Sequence, residues 1–412
     1  MRCCLNIISP NRKKSKYLRL KFPADCGIIK VYPVRKGAVT LKKILKLKKR
    51  YLIPSAVILL MIFLNILARL CRPFADFYVF RVFPYISSAL SFVSGIFPFS
   101  VGEVLIILGI LIAVIGVPLT AGLLIFRKSS RRRTAGIFMT CFMWILCYIC
   151  TTETMNCFIM YQCTPFAERY LRPKEHPRSE LIALYAALID EANRLAPQVP
   201  RDSDDRFYLT ADFNEEARKA MKAMGEKYPQ LKGYYPRAKA IKFSFFMSQT
   251  HLSGIYFPFS MESNYNADMV DTNLPDTICH EFSHLKGIIQ EDEANFIAYL
   301  ATMNSDNIEF RYSGCLEGLE YVHNQIYKND IEEAYYLTDT ISDQVRRDWF
   351  RFLPDNYWEE NKKKEIINTE TVNTVSEAAL DTNIKMNGRE DGVEAYSQMV
   401  TLLLDYYFPA EE

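Results

Sequence analysis

Three uncharged apolar stretches dominate the first part of this 412-residue chain. They cover residues 52–68, 104–126 and 134–152, and the first extends to residue 70 if Arg69 reaches back to the interface. A helix needs about 20 mostly apolar residues to cross the hydrocarbon of a bilayer. The sequence therefore predicts a membrane anchor of three transmembrane helices within residues 51–152.

The segment 71–103 between the first two stretches carries few charges. Its apolar part, residues 82–101, contains Pro84, Pro98 and several serines, which make it a poor spanning helix. We interpret this segment as packing on the outer membrane surface without crossing.

Basic residues predict the orientation of the anchor. Residues 1–50 contain sixteen Lys or Arg and one acidic residue, Asp25, and the connection 127–133 is also strongly basic. Short basic segments stay on the cytoplasmic side of a membrane. We therefore expect a multi-pass protein of the cell membrane with a cytoplasmic tail at 1–50 and an extracytoplasmic domain at 153–412.

The charge of this C-terminal domain excludes one class of partner. Residues 153–412 hold 26 basic and 44 acidic side chains, a net charge of about −18. Binding nucleic acid requires a basic face. We therefore expect membrane lipid and a protein or peptide substrate as partners, and no nucleic acid.

The pattern of residues 153–412 predicts one mainly helical α+β domain with a small sheet. Helical periodicity covers most of it, whereas residues 240–246 and 254–259 are β-like. Pro258 favours an edge position for the second strand, because proline cannot donate a ladder hydrogen bond. Further helices are expected at about 330–350 and 391–407.

The central motif is His280-Glu281-Phe282-Ser283-His284, an HExxH sequence within a helical pattern. Residues four apart share one face of a helix, so both imidazoles can bind a single zinc ion. Glu281 lies beside them and can act as the general base on water activated by the metal. The motif predicts a zinc metallopeptidase with His280 and His284 as metal ligands.

A catalytic zinc site usually has a third protein ligand. The segment that starts at Glu291 resembles the second motif of gluzincin peptidases, in which Glu is followed three residues later by Ala and then by Asp or Asn. This resemblance implies a zincin-like domain with Glu291 as the third ligand and Asn295 as a residue that orients a histidine. The stretch after His284 is short for that family and Asn replaces the usual Asp, so Glu293 is the alternative ligand.

Taken whole, residues 51–408 resemble an uncharacterised bacterial family of membrane-anchored HExxH proteins, catalogued as a domain of unknown function. The resemblance includes the HExxH helix, residues 291–300, and the short motifs at 254–259, Asn387-Gly388, Gly392-Val393 and Tyr396. It implies peptidase chemistry without naming a target.

Other residues are secondary candidates. The strand at 255–259 could bind a substrate backbone by strand addition. Glu262 could meet a substrate amine, although an exposed acid without a role is the simpler interpretation. Tyr396 is the catalytic candidate for stabilising the oxyanion, with His323 as the alternative, and either could instead be structural.

Two classes of function follow. The first is a zinc-dependent peptidase acting outside the cytoplasmic membrane, with Glu281 as general base. The second is a non-enzymatic membrane sensor or assembly protein whose zinc is structural or absent, an idea that three spans favour because tethering needs only one. Intramembrane proteolysis is set aside, since the motif lies about 130 residues beyond the last apolar stretch.

Overall fold

A computed structural model describes residues 49–374, 376, 378 and 398–410. The chain divides into two compact units, Met1–Ile53 and Pro54–Glu412. Of the first unit the structure describes only residues 49–53, where the first helix begins. The elements that form the candidate site all belong to the second unit.

Four helices in the N-terminal part are long and apolar enough to cross a membrane, judged by length and composition. They are α1 (Arg50–Leu70), α2 (Arg72–Gly95), α3 (Val101–Phe126) and α4 (Lys128–Gln162). Three of them contain the predicted apolar stretches. The fourth, α2, lies in the segment 71–103, for which the sequence predicted packing on the membrane surface without crossing.

The prolines of α2 stand where a helix tolerates them. Pro73 and Pro84 lie in the first turns of the stretches Arg72–Phe77 and Phe83–Gly95. In a first turn, proline lacks only an N–H that the helix does not use. A wider turn, Tyr78–Val82, joins the two stretches. Proline therefore does not prevent α2 from forming.

The serines of α2 have partners outside the helix. The hydroxyl of Ser87 donates to the carbonyl of Leu285 at 2.6 Å, and that of Ser91 donates to the carbonyl of Met261 at 3.0 Å. On the same side, α2 contributes fully buried apolar side chains to the main hydrophobic core, namely Ala75, Val79 and Phe83. One face of α2 thus belongs to the core of the C-terminal domain.

Helices α3 and α4 form a hairpin attached to the rest of the protein at one end. The amide of Gly102, at the start of α3, donates to the Glu262 carboxylate at 2.8 Å. Near the end of the apolar stretch of α4, the Tyr148 hydroxyl donates to the carbonyl of Phe259 at 2.6 Å. The basic connection 127–133 lies at the opposite end, about 39 Å away at 1.5 Å per helical residue.

Beyond α4 the described residues are mostly helical. The helices are α5 (Phe166–Tyr170), α6 (Arg178–Leu195), α7 (Phe213–Lys227), α8 (Ser244–Gln249), α9 (Leu274–His284), α10 (Glu291–Met303), α11 (Ile308–Lys328), α12 (Asp343–Asp348), α13 (Tyr357–Asn361) and α14 (Gln398–Tyr407). The helix expected at 330–350 is instead a 3₁₀ segment, Glu332–Thr340, followed by the short α12. Of the helix expected at 391–407, residues 391–397 lie outside the described part.

A three-stranded sheet lies beside α9. Its strands are β1 (Lys239–Ile241), β2 (Gly254–Phe257) and β3 (Glu262–Asn266), in the order β1-β3-β2. β3 runs parallel to β1 and antiparallel to β2, with Gly254 opposite Tyr265 and Phe257 opposite Glu262. The sequence predicted β2 as an edge strand but missed β3, and it continued the first strand through residues that form α8.

The core places α9 at the centre of the domain. α9 packs against α7, α10 and α11 and against strands β2 and β3. The apolar side of α9 includes Ile278 and Phe282, which are fully buried. This arrangement leaves the opposite side of α9, with its histidines, facing α10 and the sheet. The mainly helical architecture with a small sheet is the one that the sequence predicted.

Candidate metal centre

Helix α9 has defined signals at both ends. Pro275 lies in its first turn together with the acidic Asp276, which suits the positive end of the helix dipole. At the other end Gly287 has a φ of +84°, a conformation that costs glycine little. The amide of Gly287 donates to the carbonyl of His284 at 3.0 Å. This turn reverses the chain, so that α10 begins at Glu291 beside the histidines.

Three predicted ligand atoms meet at this turn. The Nε2 atoms of His280 and His284 are 3.0 Å apart. Glu291 Oε2 lies 3.1 Å from His280 Nε2 and 3.8 Å from His284 Nε2. Glu291 is the most accessible of the three, with 29% of its side chain exposed, so the site opens on its side.

The contacts of His284 determine which of its ring nitrogens has a lone pair for a metal. Its Nδ1 lies 2.7 Å from the carbonyl oxygen of Ile288. A carbonyl can only accept, so Nδ1 carries the proton and Nε2 presents a lone pair toward His280 and Glu291. Metal-binding histidines are commonly oriented by such a backbone contact.

The three atoms fit one tetrahedral ion. Zinc bonds of about 2.0–2.1 Å at tetrahedral angles separate ligand atoms by about 3.3 Å. The observed separations of 3.0, 3.1 and 3.8 Å bracket that value. Two imidazoles and one carboxylate are also the donor set of a common type of catalytic zinc site. The residues present can therefore hold zinc.

Glu281 lies next to the ligands without sharing their contacts. Potential donor atoms of His280, Glu281 and His284 all lie within 4.8 Å of one another. Only 4% of Glu281 is exposed, and its Oε2 has no hydrogen-bond partner among the described residues. Burial raises the pKa of this carboxyl to about 8. A buried carboxyl oxygen without a partner is energetically costly.

Strand β2 approaches Glu281 closely at Gly254. A Cβ on residue 254 would overlap Glu281 Oε1 and would lie 2.8 Å from the Thr277 methyl group. Glycine is therefore required for β2 to lie against α9 at the metal centre. β2 also has a strand neighbour on one side only within the described sheet.

The charges of the site act on one another. Burial lowers the pKa of His280, but the hydrogen bond and charge of Glu291 outweigh burial and raise that pKa to about 9. Burial raises the pKa of Glu291, yet the two histidines lower it to about 2. Burial lowers the pKa of His284 to about 4. The cluster therefore has a carboxylate and a neutral His284 ready to act as ligands at neutral pH.

Glu293, the alternative ligand, has a different position. Its carboxylate accepts from the amides of Phe166 and Ala167 at 2.9 and 2.8 Å, at the start of α5. Asn295 donates to the Tyr321 hydroxyl at 2.7 Å, and no contact with a histidine is among its hydrogen bonds in the described structure. The structure thus brings Glu291, and not Glu293, to the histidines.

Two of the secondary candidates have partners elsewhere in the described structure. Glu262 is 2% exposed and binds Lys239 and the start of α3, so it is neither the accessible acid nor the substrate contact considered from the sequence. His323 lies among aromatic residues, with Nδ1 2.7 Å from the Tyr185 hydroxyl. Tyr396, the predicted catalytic residue, lies outside the described residues.

Sequence reasoning missed residues that border the centre. The Tyr256 ring lies 5.7 Å from the His284 ring, and its hydroxyl donates to the carbonyl of Asn156. Asp276 stands one turn before His280, is 5% exposed and has an unpartnered Oδ1. Burial, followed by the charges of Asp276 and Glu320, raises the pKa of Glu317 on α11. Only Asp276 had a usable signal, the i, i+4 spacing to His280.

Comparisons with known proteins identify one match. A family model with the description "Protein of unknown function (DUF3810)" matches residues 78–404, about four fifths of the chain. No curated protein and no solved structure matches. The matched range starts within α2 and ends within α14, so it includes both the apolar helices α3 and α4 and the metal centre.

Proposed function

This chain belongs to the DUF3810 family, whose description names no activity, and from the geometry of its own residues we propose that it is a membrane-anchored zinc-dependent peptidase. His280, His284 and Glu291 hold the zinc ion, and Glu281 is the general base. The domain is zincin-like, of the gluzincin type, and it hydrolyses peptide bonds outside the cytoplasmic membrane.

One observation carries the proposal. Two imidazole nitrogens and a carboxylate oxygen meet within 3.8 Å of one another, and a fourth buried group beside them, Glu281, has an oxygen with no hydrogen-bond partner in the described part of the chain. A structural zinc site has no need of an unpaired carboxylate. A hydrolytic site needs one, because a proton must be taken from water and passed to the departing amine.

The chain's own residues supply the other parts of the chemistry. A zinc ion supplies a Lewis acid when it is bound. Glu281 takes and returns the proton at Oε2. Its pKa is about 8, and a nearby cation would lower this pKa toward about 7. The edge of β2 that has no strand neighbour in the described sheet can hold an extended peptide by main-chain hydrogen bonds, next to Glu281 at Gly254.

The same geometry supports three crossings of the membrane by α1, α3 and α4. Both ends of α2 contact the domain: Arg72 binds Glu168 at 2.6 Å, and the Ser94 carbonyl accepts from Lys239 at 2.7 Å. We infer that α2 lies along the domain on one side of the bilayer. The basic connection 127–133 is at the far end of the α3–α4 hairpin, which favours a cytoplasmic connection and an extracytoplasmic domain.

A membrane sensor or assembly protein with structural or absent zinc is the second candidate. The observation that favours it is the direct contact of α2 with the turn behind the metal centre, through Ser87 and Leu285. Such a contact would suit transmission of a membrane signal. The sensor predicts no hydrolysis of any peptide.

The test uses the full chain purified in detergent, because α2 shares its core with the domain. We expect zinc-dependent hydrolysis of a mixed peptide library, reduced about 10²–10⁴-fold in Glu281→Gln, the usual contribution of a general base. Zinc content should be unchanged in that variant. The control is Glu226→Gln, whose side chain is 82% exposed, and it should keep full activity.

Full activity in Glu281→Gln would refute the assignment of the base. A zinc-loaded wild-type protein that cleaves no peptide in the library would favour the sensor.

A further inference from the structure

The metal centre is linked to three of the four apolar helices by direct contacts. The first link runs along β2. At one end of this strand Gly254 lies against Glu281, and three residues later Phe257 lies against Gly102 at the start of α3. Four strand residues span only about 13 Å. The general base and the start of a membrane helix are thus attached to the two ends of one short strand.

The second link passes through Tyr256. Its ring lies 5.7 Å from that of His284, and its hydroxyl donates to the Asn156 carbonyl at 2.9 Å. Asn156 belongs to α4, three residues after Glu153, the first charged residue beyond the apolar stretch of that helix. A single tyrosine side chain therefore separates a metal ligand from the extension of a membrane helix.

The third link lies behind the histidines. The turn that follows His284 packs on α2: a Cβ at Gly287 would lie 2.9 Å from Val79, and the Leu285 carbonyl accepts from Ser87. The opposite side of α2 is apolar and exposed, at positions that include Phe77, Tyr85, Phe92 and Val93. The metal centre is consequently held on several sides by elements that continue into or face the bilayer.

These links set the height of the metal centre above the membrane. Glu103 on α3 and Glu153 on α4 are the charged residues that end the apolar stretches on the domain side. One helical turn and one tyrosine side chain place the metal centre on the order of 15 Å from Glu153. An extended chain covers about 3.3 Å per residue, so roughly five residues bridge that distance.

From this placement we propose that the substrate is a membrane-anchored polypeptide, cut within about ten residues of the outer surface of the bilayer. The inference rests on the proposed peptidase function and names its substrate class. A substrate in the same bilayer reaches the site at a high effective concentration, whereas a soluble peptide does not. Because three helices hold the metal centre close to the bilayer, it cannot reach a cleavage point far from the membrane.

The test compares three presentations of one reporter peptide to the full chain in lipid vesicles, with the reporter on the face that carries the domain. In the first, the reporter starts five residues from a transmembrane helix. In the second, a rigid helical spacer of about 40 residues raises the same reporter by about 60 Å. In the third, the reporter is soluble.

We expect the short anchored reporter to be cleaved at least about tenfold faster than either of the others, in line with effective-concentration gains. The spacer variant is the matched control, because its surface density is the same. Equal rates for the two anchored reporters would overturn the inference and leave the peptidase function standing. No cleavage of any of the three would overturn the peptidase function, and the inference with it.

A second readout does not depend on catalysis. In the Glu281→Gln variant, a photoreactive residue in the reporter should crosslink to β2 mainly from the short anchored form. Equal crosslinking from the soluble and the anchored forms would contradict the proposal even if cleavage rates differed.

Discussion

Two of the buried polar clusters among the described residues differ in how fully their groups are paired. The first is the metal centre of His280, His284, Glu291 and Glu281. The second, which we call the junction, joins the sheet to the start of α3 and is centred on Lys239 and Glu262. At the metal centre Glu281 keeps an unpartnered oxygen. At the junction the polar groups have partners.

The pairing at the junction is nearly complete. The three protons of the Lys239 ammonium group reach three acceptors: the carbonyls of Ser94 and Phe99 at 2.7 and 3.0 Å, and Glu262. The Glu262 carboxylate also accepts from three further donors, the amides of Val101 and Gly102 and the hydroxyl of Ser260. A carboxylate at the start of a helix is favoured by the dipole of α3. The paired groups of the junction therefore stabilise the fold, whereas the metal centre has groups that can still bind a ligand and take part in a reaction.

The largest expected effect is on stability at the junction. Glu262→Ala should lower the free energy of unfolding by about 3–5 kcal/mol, because Lys239 would remain buried without its counter-ion. Glu281→Ala removes an equally buried glutamate at the metal centre and should cost far less, since its Oε2 has no partner to lose. Thermal unfolding of both variants in detergent measures the difference. Equal losses of unfolding free energy in Glu262→Ala and Glu281→Ala would contradict the contrast between the two clusters.

A second prediction compares two buried lysines. Lys286 donates to the carbonyl of Tyr234 at 2.8 Å and lies over the Tyr235 ring, with no ion pair in the described structure. Burial lowers its pKa from 10.5 to about 7. Between these values the unfolded chain binds a proton that the folded chain does not, so this group reduces stability as the pH falls from about 10.5 to 7.

Replacing that lysine should therefore stabilise the protein. We expect Lys286→Met to raise the free energy of unfolding by roughly 1–4 kcal/mol at pH 6, with a smaller gain at pH 10. Lys239→Met, at the junction, should destabilise it instead, because Glu262 would be left unpaired. A higher free energy of unfolding in Lys239→Met would contradict the comparison. A lower free energy of unfolding in Lys286→Met that does not change with pH would contradict it as well.

A smaller effect is expected where β2 meets the metal centre. Gly254→Ala places a methyl group against Glu281 and Thr277, and such overpacking typically costs about 1–3 kcal/mol. Because Glu281 must move, we expect peptidase activity to fall by more than the loss of folded protein alone would cause. Gly109→Ala is the control, since a Cβ at that position meets no atom within 4 Å. Unchanged activity in Gly254→Ala would show that Glu281 is free to shift.

The two clusters also differ in how far the sequence predicts them. His280, His284 and Glu291 lie within twelve residues, so helix periodicity and a short turn are enough to bring them together. The choice between Glu291 and Glu293 depends on the turn between α9 and α10, and the length of that turn does not show which carboxylate faces the histidines.

The junction could not be predicted in the same way. Glu262 is separated by 160 residues from Gly102, and Lys239 by 145 residues from Ser94. No local pattern encodes such pairs, so the sequence suggested for Glu262 only a substrate contact or an exposed acid.

The contacts of helix α2 with the domain could not be predicted for a related reason. Its serines count against a membrane helix only if their hydroxyls lack partners, and those partners, such as Leu285, come from the distant metal-binding segment.

The most direct test of the metal centre is the zinc content of the purified full chain and three variants. We expect about one zinc per chain in the wild type, and loss of that zinc in both His280→Ala and Glu291→Ala. Glu293→Gln should retain it, because that carboxylate binds the start of α5. A wild-type chain without zinc under metal-replete conditions, or zinc lost in Glu293→Gln but kept in Glu291→Ala, would contradict the assignment of the site.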